Sequence, residues 1–138
     1  MPSFDERVER VESIVGASLP PEYVAFLKSG PPVYDDAFGV PFREDIWNVT
    51  DYLELSAGRD YLQLDSMCES VASFFPPYAV PIASDHAGNF FCLYVAGEFS
   101  GQVHWWDHER DPDETATEFV ATSLSAFLSG IRPIPDDV

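Results

Sequence analysis

The amino-acid sequence predicts an α+β fold, with helices packed against a mainly antiparallel sheet in a single domain of 138 residues. The stretch 80–108 is rich in β-branched and aromatic residues divided by glycine-containing turns, which is typical of a three-stranded antiparallel meander. Apolar residues recur at helical spacing on both sides of this stretch. The predicted order α, α, β, α, three β, α does not alternate regularly, which argues against a doubly wound parallel sheet.

Two helices are predicted in the N-terminal part. The first extends from Phe4 to Val15, and Ser3 with Glu6 has the pattern of a capping box. Its apolar residues lie three or four positions apart and define one face: Val8, Val11, Ile14 and Val15. Gly16 is a typical helix end. The second helix extends from Pro21 to Ser29, because proline is tolerated in a first helical turn and a glycine follows Ser29.

The pattern between these helices and the meander is mixed. Residues 31–45 contain several Pro, Gly and Asp residues and are predicted to be irregular. The segment Ile46–Leu55 has the composition of a strand, interrupted near Asp51. Apolar residues at helical intervals predict a third helix over Leu64–Phe75, which the two following prolines end.

The last strand of the predicted meander contains two successive tryptophans. Because side chains of a strand alternate between faces, Val103 and Trp105 are expected on one face. His104 and Trp106 are then expected on the other. Only one of the two tryptophans can therefore contribute to the same core.

A fourth helix is predicted near the C-terminus. It follows an acidic loop, covers Ala116–Leu128 and ends at Gly130, and the tail beyond it is expected to be loosely packed. The predicted core draws on residues from all these elements: Tyr23, Phe26, Leu27, Ile82, Leu93, Val103, Trp105, Phe119, Leu124 and Phe127.

Acidic side chains dominate the charge of the chain. There are 24 Asp and Glu against 7 Lys and Arg, which gives a formal net charge of -17 at pH 7. A surface this negative repels nucleic acid and anionic membranes, so neither is predicted as a partner. A basic protein partner would be attracted. The alternative interpretation is that the acidity serves solubility or adaptation to high salt.

Targeting and membrane signals are missing from the sequence. The first residues, MPSFDERVERVE, lack the apolar region of a signal peptide, and no uncharged apolar run is long enough to span a bilayer. We therefore expect a cytoplasmic protein. Cys68 and Cys92 show no metal-ligand spacing and are expected to be reduced, buried thiols.

No segment has the pattern of a catalytic or metal site. His86, His104 and His108 occur near several acids, but HExxH and HxH motifs are absent, and the interval from His104 to His108 crosses a strand end. A GxSxG motif and a glycine-rich phosphate loop are also absent. The sequence thus predicts a non-enzymatic binding protein without cofactor or metal. The alternative is an enzyme that uses His104, Asp107 and His108.

Four short segments occur in an order that carries further information. They are LPPEYVAFLKSG (19–30), PPYAVPIASDHAGNFFCLYV (76–95), GQVHWWDHE (101–109) and ATEFVATSLSAFL (116–128). Their order and spacing resemble the SMI1/KNR4 (SUKH) family over nearly the whole chain. Three family motifs would match here: LP-x-x-Y-x-x-FL at Leu19–Leu27, PIA-x-D-x-x-G at Pro81–Gly88, and a strand ending in Asp-His at His108. The departure is Gly30-Pro31-Pro32, where members often carry an Asn-Gly-Gly-like turn.

The resemblance implies an α+β protein-binding domain. Many bacterial members look like immunity proteins that are encoded beside polymorphic secreted toxins and block them. The predicted function is therefore the neutralisation of a cognate basic toxin, such as a nuclease. The alternative is a regulatory or scaffold module for an endogenous partner.

A partner-binding surface can be predicted around the second strand face. If no helix covers that face, His104 and Trp106 form an aromatic platform beside carboxylates, and loop acids offer a second patch. The alternative is that a helix or the loop 31–42 buries Trp106. The predicted surface comprises Asp35, Asp36, Asp85, His104, Trp106 and Asp107.

Overall fold

The computed structural model describes residues 2–32, 37–56, 63–109 and 117–134. These residues form four helices and two antiparallel sheets, which confirms the α+β prediction. The helices are α1 (Phe4–Val15), α2 (Pro21–Ser29), α3 (Leu64–Val71) and α4 (Leu124–Ser129). The strands are β1 (Phe38–Phe42), β2 (Asp45–Asn48), β3 (Asp51–Tyr52), β4 (Ala79–Ser84), β5 (Phe90–Tyr94), β6 (Val103–Trp106), β7 (Glu118–Ala121) and β8 (Arg132–Pro133).

Both N-terminal helices have the predicted bounds and ends. The Ser3 hydroxyl accepts a hydrogen bond from the Glu6 amide, and the Glu6 carboxylate accepts one from the Ser3 amide, so the capping box is formed. At the other end of α1, Gly16 adopts φ 91° and its amide donates to the Glu12 carbonyl at 2.8 Å. Helix α2 begins at Pro21, and the Gly30 amide donates to Phe26.

The predicted meander is confirmed as strands β4, β5 and β6, the centre of a five-stranded sheet ordered β3-β4-β5-β6-β7. Its inner face packs against the helices, and the Phe91 and Phe127 rings lie 5.3 Å apart. Register places the other set of side chains on what we call the outer face, since Cys92 pairs with His104 and Phe90 with Trp106. The outer face comprises Ala79, Pro81, Phe90, Cys92, Tyr94, His104 and Trp106.

Residues 31–45 were predicted to be irregular, and this prediction is wrong for Phe38–Phe42. That segment forms β1, which pairs with β2 and β8 in a second sheet ordered β2-β1-β8. The β1–β2 turn uses Arg43 and Glu44 at positive φ, without the glycine or asparagine that usually marks such a hairpin. Close packing explains the glycine at position 39, because a Cβ on Gly39 would lie 2.3 Å from the Trp47 carbonyl oxygen.

Three predicted boundaries also need correction. The predicted strand 46–55 contains two strands, β2 and β3, that belong to different sheets. Helix α3 ends at Val71 instead of Phe75. In the predicted C-terminal helix, Glu118–Ala121 forms strand β7, and α4 starts only after the Ser123 hydroxyl caps it by accepting from the Ala126 amide. The tail predicted to be loosely packed contributes β8.

The predicted core is correct for eight of its ten residues, which are buried. Phe26 is partly buried and packs on that core. Phe119 is the error, because pairing of β7 with β6 places it opposite His104 and leaves it 49% exposed. Cys68 and Cys92 are buried and form no disulfide, as predicted. Burial raises the pKa of the Cys68 thiol to about 12, which makes it a poor nucleophile at neutral pH.

Candidate functional site

The described residues of the predicted binding surface do not all lie on one face of the sheet. Asp35 and Asp36 lie outside the residues that the structure describes. His104 and Trp106 share the outer face, as predicted, but both side chains are buried, with exposed fractions of 3% and 6%. Asp85 is buried at the inner side of the same sheet, under two indole rings. The predicted aromatic platform with a carboxylate rim is therefore not formed by these residues themselves.

Asp85 follows β4 and acts as a buried hydrogen-bond acceptor. Its Oδ2 atom accepts from Trp47 Nε1 at 2.9 Å, Trp105 Nε1 at 3.0 Å and Asn89 Nδ2 at 3.0 Å. Its Oδ1 atom accepts from the amides of Ala87 and Asn89. Burial favours a higher pKa for this carboxyl, but the hydrogen bonds from Trp47, Asn89 and Trp105 outweigh it and lower the pKa. The hydrogen bonds of Asp85 are therefore internal and stabilise the fold.

The same network includes His108. The Asn89 Oδ1 atom accepts from the His108 amide at 3.0 Å and lies 2.6 Å from His108 Nδ1. Asn89 therefore connects the turn after β4 to the end of β6. The His108 backbone and side chain both contribute to this connection.

Asp107 lies on the side of Arg43, opposite Trp106. The guanidinium of Arg43 lies 4.9 Å above the Trp105 ring and pairs with Glu118 at 2.6 Å. The hydrogen bonds that Arg43 donates to the Glu118 carboxylate raise the pKa of Arg43, and the charge of Asp107 adds to that effect. Since strand side chains alternate, this position of Asp107 is the expected one for the residue after Trp106.

Two groups of aromatic rings cover the outer face, and the first surrounds Trp106. The loop that follows α3 places Phe75 at 5.0 Å and Phe74 at 5.8 Å from the Trp106 ring, measured between centroids. Phe90 of β5 lies 6.0 Å from the same ring. The alternative interpretation of the sequence was correct in that Trp106 is covered. Among the described residues, the rings of Phe74 and Phe75, which follow α3, contribute to this cover.

The second group surrounds His104. Phe99 lies 4.7 Å, Tyr94 4.9 Å and Phe119 5.8 Å from the imidazole, again between centroids. His104 Nε2 lies 2.8 Å from Gln102 Oε1, and Nδ1 lies 2.8 Å from the Thr117 hydroxyl. Burial lowers the pKa of His104. The imidazole is therefore held neutral and fixed in place.

Sequence reasoning missed the side chains that the outer side actually displays. The large apolar side chains that are exposed in the described part of the chain are Phe74 (54%), Phe119 (49%), Tyr78 (42%) and Phe99 (37%). One available signal was the run Phe74-Phe75-Pro-Pro-Tyr78, in which successive rings cannot all enter one core. The exposure of Phe119 could not be recognised while its segment was assigned to a helix.

The candidate catalytic set is not assembled. His104 lies on the outer face, Asp107 lies on the side of Arg43, and His108 is bonded to Asn89. Within the described ranges, no group of three or more His, Cys, Asp or Glu side chains is placed to hold a metal ion. No helix among the described residues is long and apolar enough to cross a membrane.

Basic side chains in the described part are largely used in internal ion pairs. Arg7 binds the Asp65 carboxylate through Nε and Nη2 at 2.9 and 3.0 Å, which fastens α1 to α3. Arg10 pairs with Glu69 and Arg43 with Glu118. These pairs cancel only a few of the 24 acids, so the excess negative charge faces solvent.

Comparison with known proteins shows similarity to a family and to a curated protein. The sequence model of the SMI1 / KNR4 family (SUKH-1) matches residues 2–130. The chain is also 26% identical over 152 aligned positions to the SPbeta prophage-derived uncharacterized protein YokK of Bacillus subtilis (strain 168). That alignment covers 96% of this chain and 78% of the relative.

Proposed function

This chain belongs to the SMI1/KNR4 (SUKH-1) family, whose model matches residues 2–130, and we propose that it is an immunity protein. In this proposal it is a non-enzymatic, cytoplasmic domain that binds and neutralises a cognate bacterial toxin with a basic surface. The observation that carries the proposal is the family match, because immunity proteins are among the members of this family.

Charge supports the choice of a basic toxin. The formal net charge is -17, and the ion pairs of Arg7, Arg10 and Arg43 leave most carboxylates available to attract an oppositely charged protein. A nuclease has to present a positive surface to its phosphate substrate. An acidic protein can compete for that same surface, so a nuclease is the toxin class that the charge favours.

The test is binding to the toxin domain encoded by the adjacent gene, purified in a catalytically inactive form. We expect a complex of the two proteins whose association rate falls steeply as the salt concentration rises, because long-range attraction is screened. Co-expression should also protect cells from the active toxin. Failure to bind or protect, at low salt and with a correctly folded protein, would overturn the proposal.

A gene without a toxin gene beside it would favour a different function. If no toxin is encoded nearby and the protein binds an endogenous partner instead, the regulatory or scaffold function replaces the proposal. Genomic neighbourhood therefore decides which partner is tested first.

A further inference from the structure

We propose that the exposed rings beside the outer face, Phe74, Tyr78, Phe99 and Phe119, form the docking surface for the basic protein partner. This inference rests on the proposed function and assigns a surface to it. The four residues are the exposed large apolar side chains of the described ranges, and they come from the α3–β4 connection, the β5–β6 connection and strand β7. Exposed aromatic groups of this kind mark protein interaction sites.

Ring contacts join three of these residues to one strand. Phe74 stacks on Trp106 at 5.8 Å, whereas Phe99 and Phe119 contact His104 at 4.7 and 5.8 Å. His104 and Trp106 are two positions apart on β6 and point to the same face. The three exposed rings therefore belong to one continuous aromatic surface with a buried base.

That base is rigid before any partner binds. Trp106 contacts the rings of Phe75 and Phe90, and His104 is fixed by hydrogen bonds to Gln102 and Thr117. A surface whose supporting side chains are already ordered loses little conformational entropy on binding. The exposed rings can thus act as preformed anchors.

Tyr78 extends the surface and carries backbone strain. Its φ is 63°, a left-handed value that an aromatic residue rarely adopts, and its carbonyl accepts from the Val95 amide at 2.9 Å. A cleft of about 80 Å³ lies beside it, and Val15, Val71 and Phe75 contribute to the lining. The ring of Tyr78 lies beside Gly16 and Gly97 and is still 42% exposed, so part of it is available to a partner.

Charge selects a basic protein over a second copy of this chain. Two copies, each with a formal net charge of -17, repel one another. Aromatic faces attract guanidinium and ammonium groups, and the exposed neighbour of Phe99 is the acid Glu98. The surface therefore suits a partner that presents Arg or Lys side chains among apolar ones.

The experiment measures binding of the inactivated toxin domain from the adjacent gene to wild type and to single variants Phe74→Ala, Tyr78→Gly and Phe119→Ala. A double variant on α2, Glu22→Ala with Lys28→Ala, is the control, because it removes two exposed side chains and keeps the net charge. All variants retain the charge of -17, so long-range attraction is unchanged. Circular dichroism establishes that each is folded, and sedimentation velocity measures self-association.

We expect the aromatic variants to raise Kd by about tenfold or more, mainly through faster dissociation, and the α2 control to bind as wild type does. If wild type and every variant bind equally, the surface assignment is wrong and the proposed function stands. If wild type does not bind at all, the proposed function fails and this inference fails with it. Dimers of wild type that Phe74→Ala or Phe119→Ala abolishes would make a second copy the occupant and overturn the choice of a basic partner.

Discussion

Trp47 and Trp105 donate hydrogen bonds to the same oxygen atom, Oδ2 of Asp85, although the two indoles belong to different sheets. The donor–acceptor distances are 2.9 and 3.0 Å, and the two rings meet edge to face with centroids 5.6 Å apart. One buried carboxylate thus joins the three-stranded sheet to the five-stranded sheet. This explains why an acid is tolerated in the interior of an already acidic protein, since each of its oxygens has donors.

We predict that Asp85→Asn lowers the free energy of unfolding by about 3 kcal/mol at pH 7, because an amide offers one accepting oxygen where the carboxylate offers two. Urea denaturation measures this loss of stability, with Glu109→Gln as an exposed control.

The pKa of Asp85 is lowered in the folded state, so the contribution of Asp85 to stability is present above its ordinary pKa and is lost as pH falls through the folded value. Wild type should therefore lose more stability in acid than Asp85→Asn; equal losses would contradict the assignment.

Periodicity predicted those elements whose signal is local. Helix α1 has its capping box and glycine end in the sequence itself, and the meander has turn glycines between aromatic runs. The role of Asp85 could not be predicted, because its donor Trp47 is 38 positions away. Strand β7 was mistaken for helix because a run of four residues is too short to show a period of two clearly.

Substitution of Phe127 and Phe119 tests the corrected assignment of core residues. Phe127 is fully buried against Phe91, whereas Phe119 is half exposed on the outer side. We expect Phe127→Ala to cost about 3 to 5 kcal/mol of folding free energy and Phe119→Ala less than about 1 kcal/mol. Chemical denaturation of both variants measures the difference. Similar losses would mean that Phe119 does belong to the core.

The β1–β2 hairpin should become more stable when Glu44 is replaced by glycine. Glu44 adopts φ 63° next to Arg43 at φ 54°, and left-handed backbone costs about 1 kcal/mol in a residue with a Cβ. Glu44→Gly should therefore raise the free energy of unfolding by about 0.5 to 1 kcal/mol, as judged by thermal denaturation. Glu109→Gly, at an exposed residue without a positive φ, is the control and should not stabilise. A loss of stability in Glu44→Gly would contradict the claim that the backbone of Glu44 is strained.

The partners of His104 determine its tautomer. Gln102 Oε1 can only accept, so His104 Nε2 carries the proton and Nδ1 accepts from the Thr117 hydroxyl. The Thr117 oxygen is then available to accept from the Tyr94 hydroxyl, which lies 2.8 Å away. A neutral imidazole is compatible with this chain of hydrogen bonds, and burial favours that form because it lowers the pKa of His104.

The lowered pKa of the buried His104 predicts how stability depends on pH. Burial lowers the pKa of His104 below its ordinary value of 6.5 in the folded state, so the unfolded chain binds the proton first as pH falls. The contribution of His104 to stability is complete above pH 6.5 and is lost between that value and the lower folded pKa. We expect the urea midpoint of wild type to decline from pH 7 to about pH 5, a smaller decline for His104→Gln, and a decline like that of wild type for His86→Gln, which alters an exposed imidazole. An identical pH dependence in wild type and His104→Gln would show that His104 is not the group responsible.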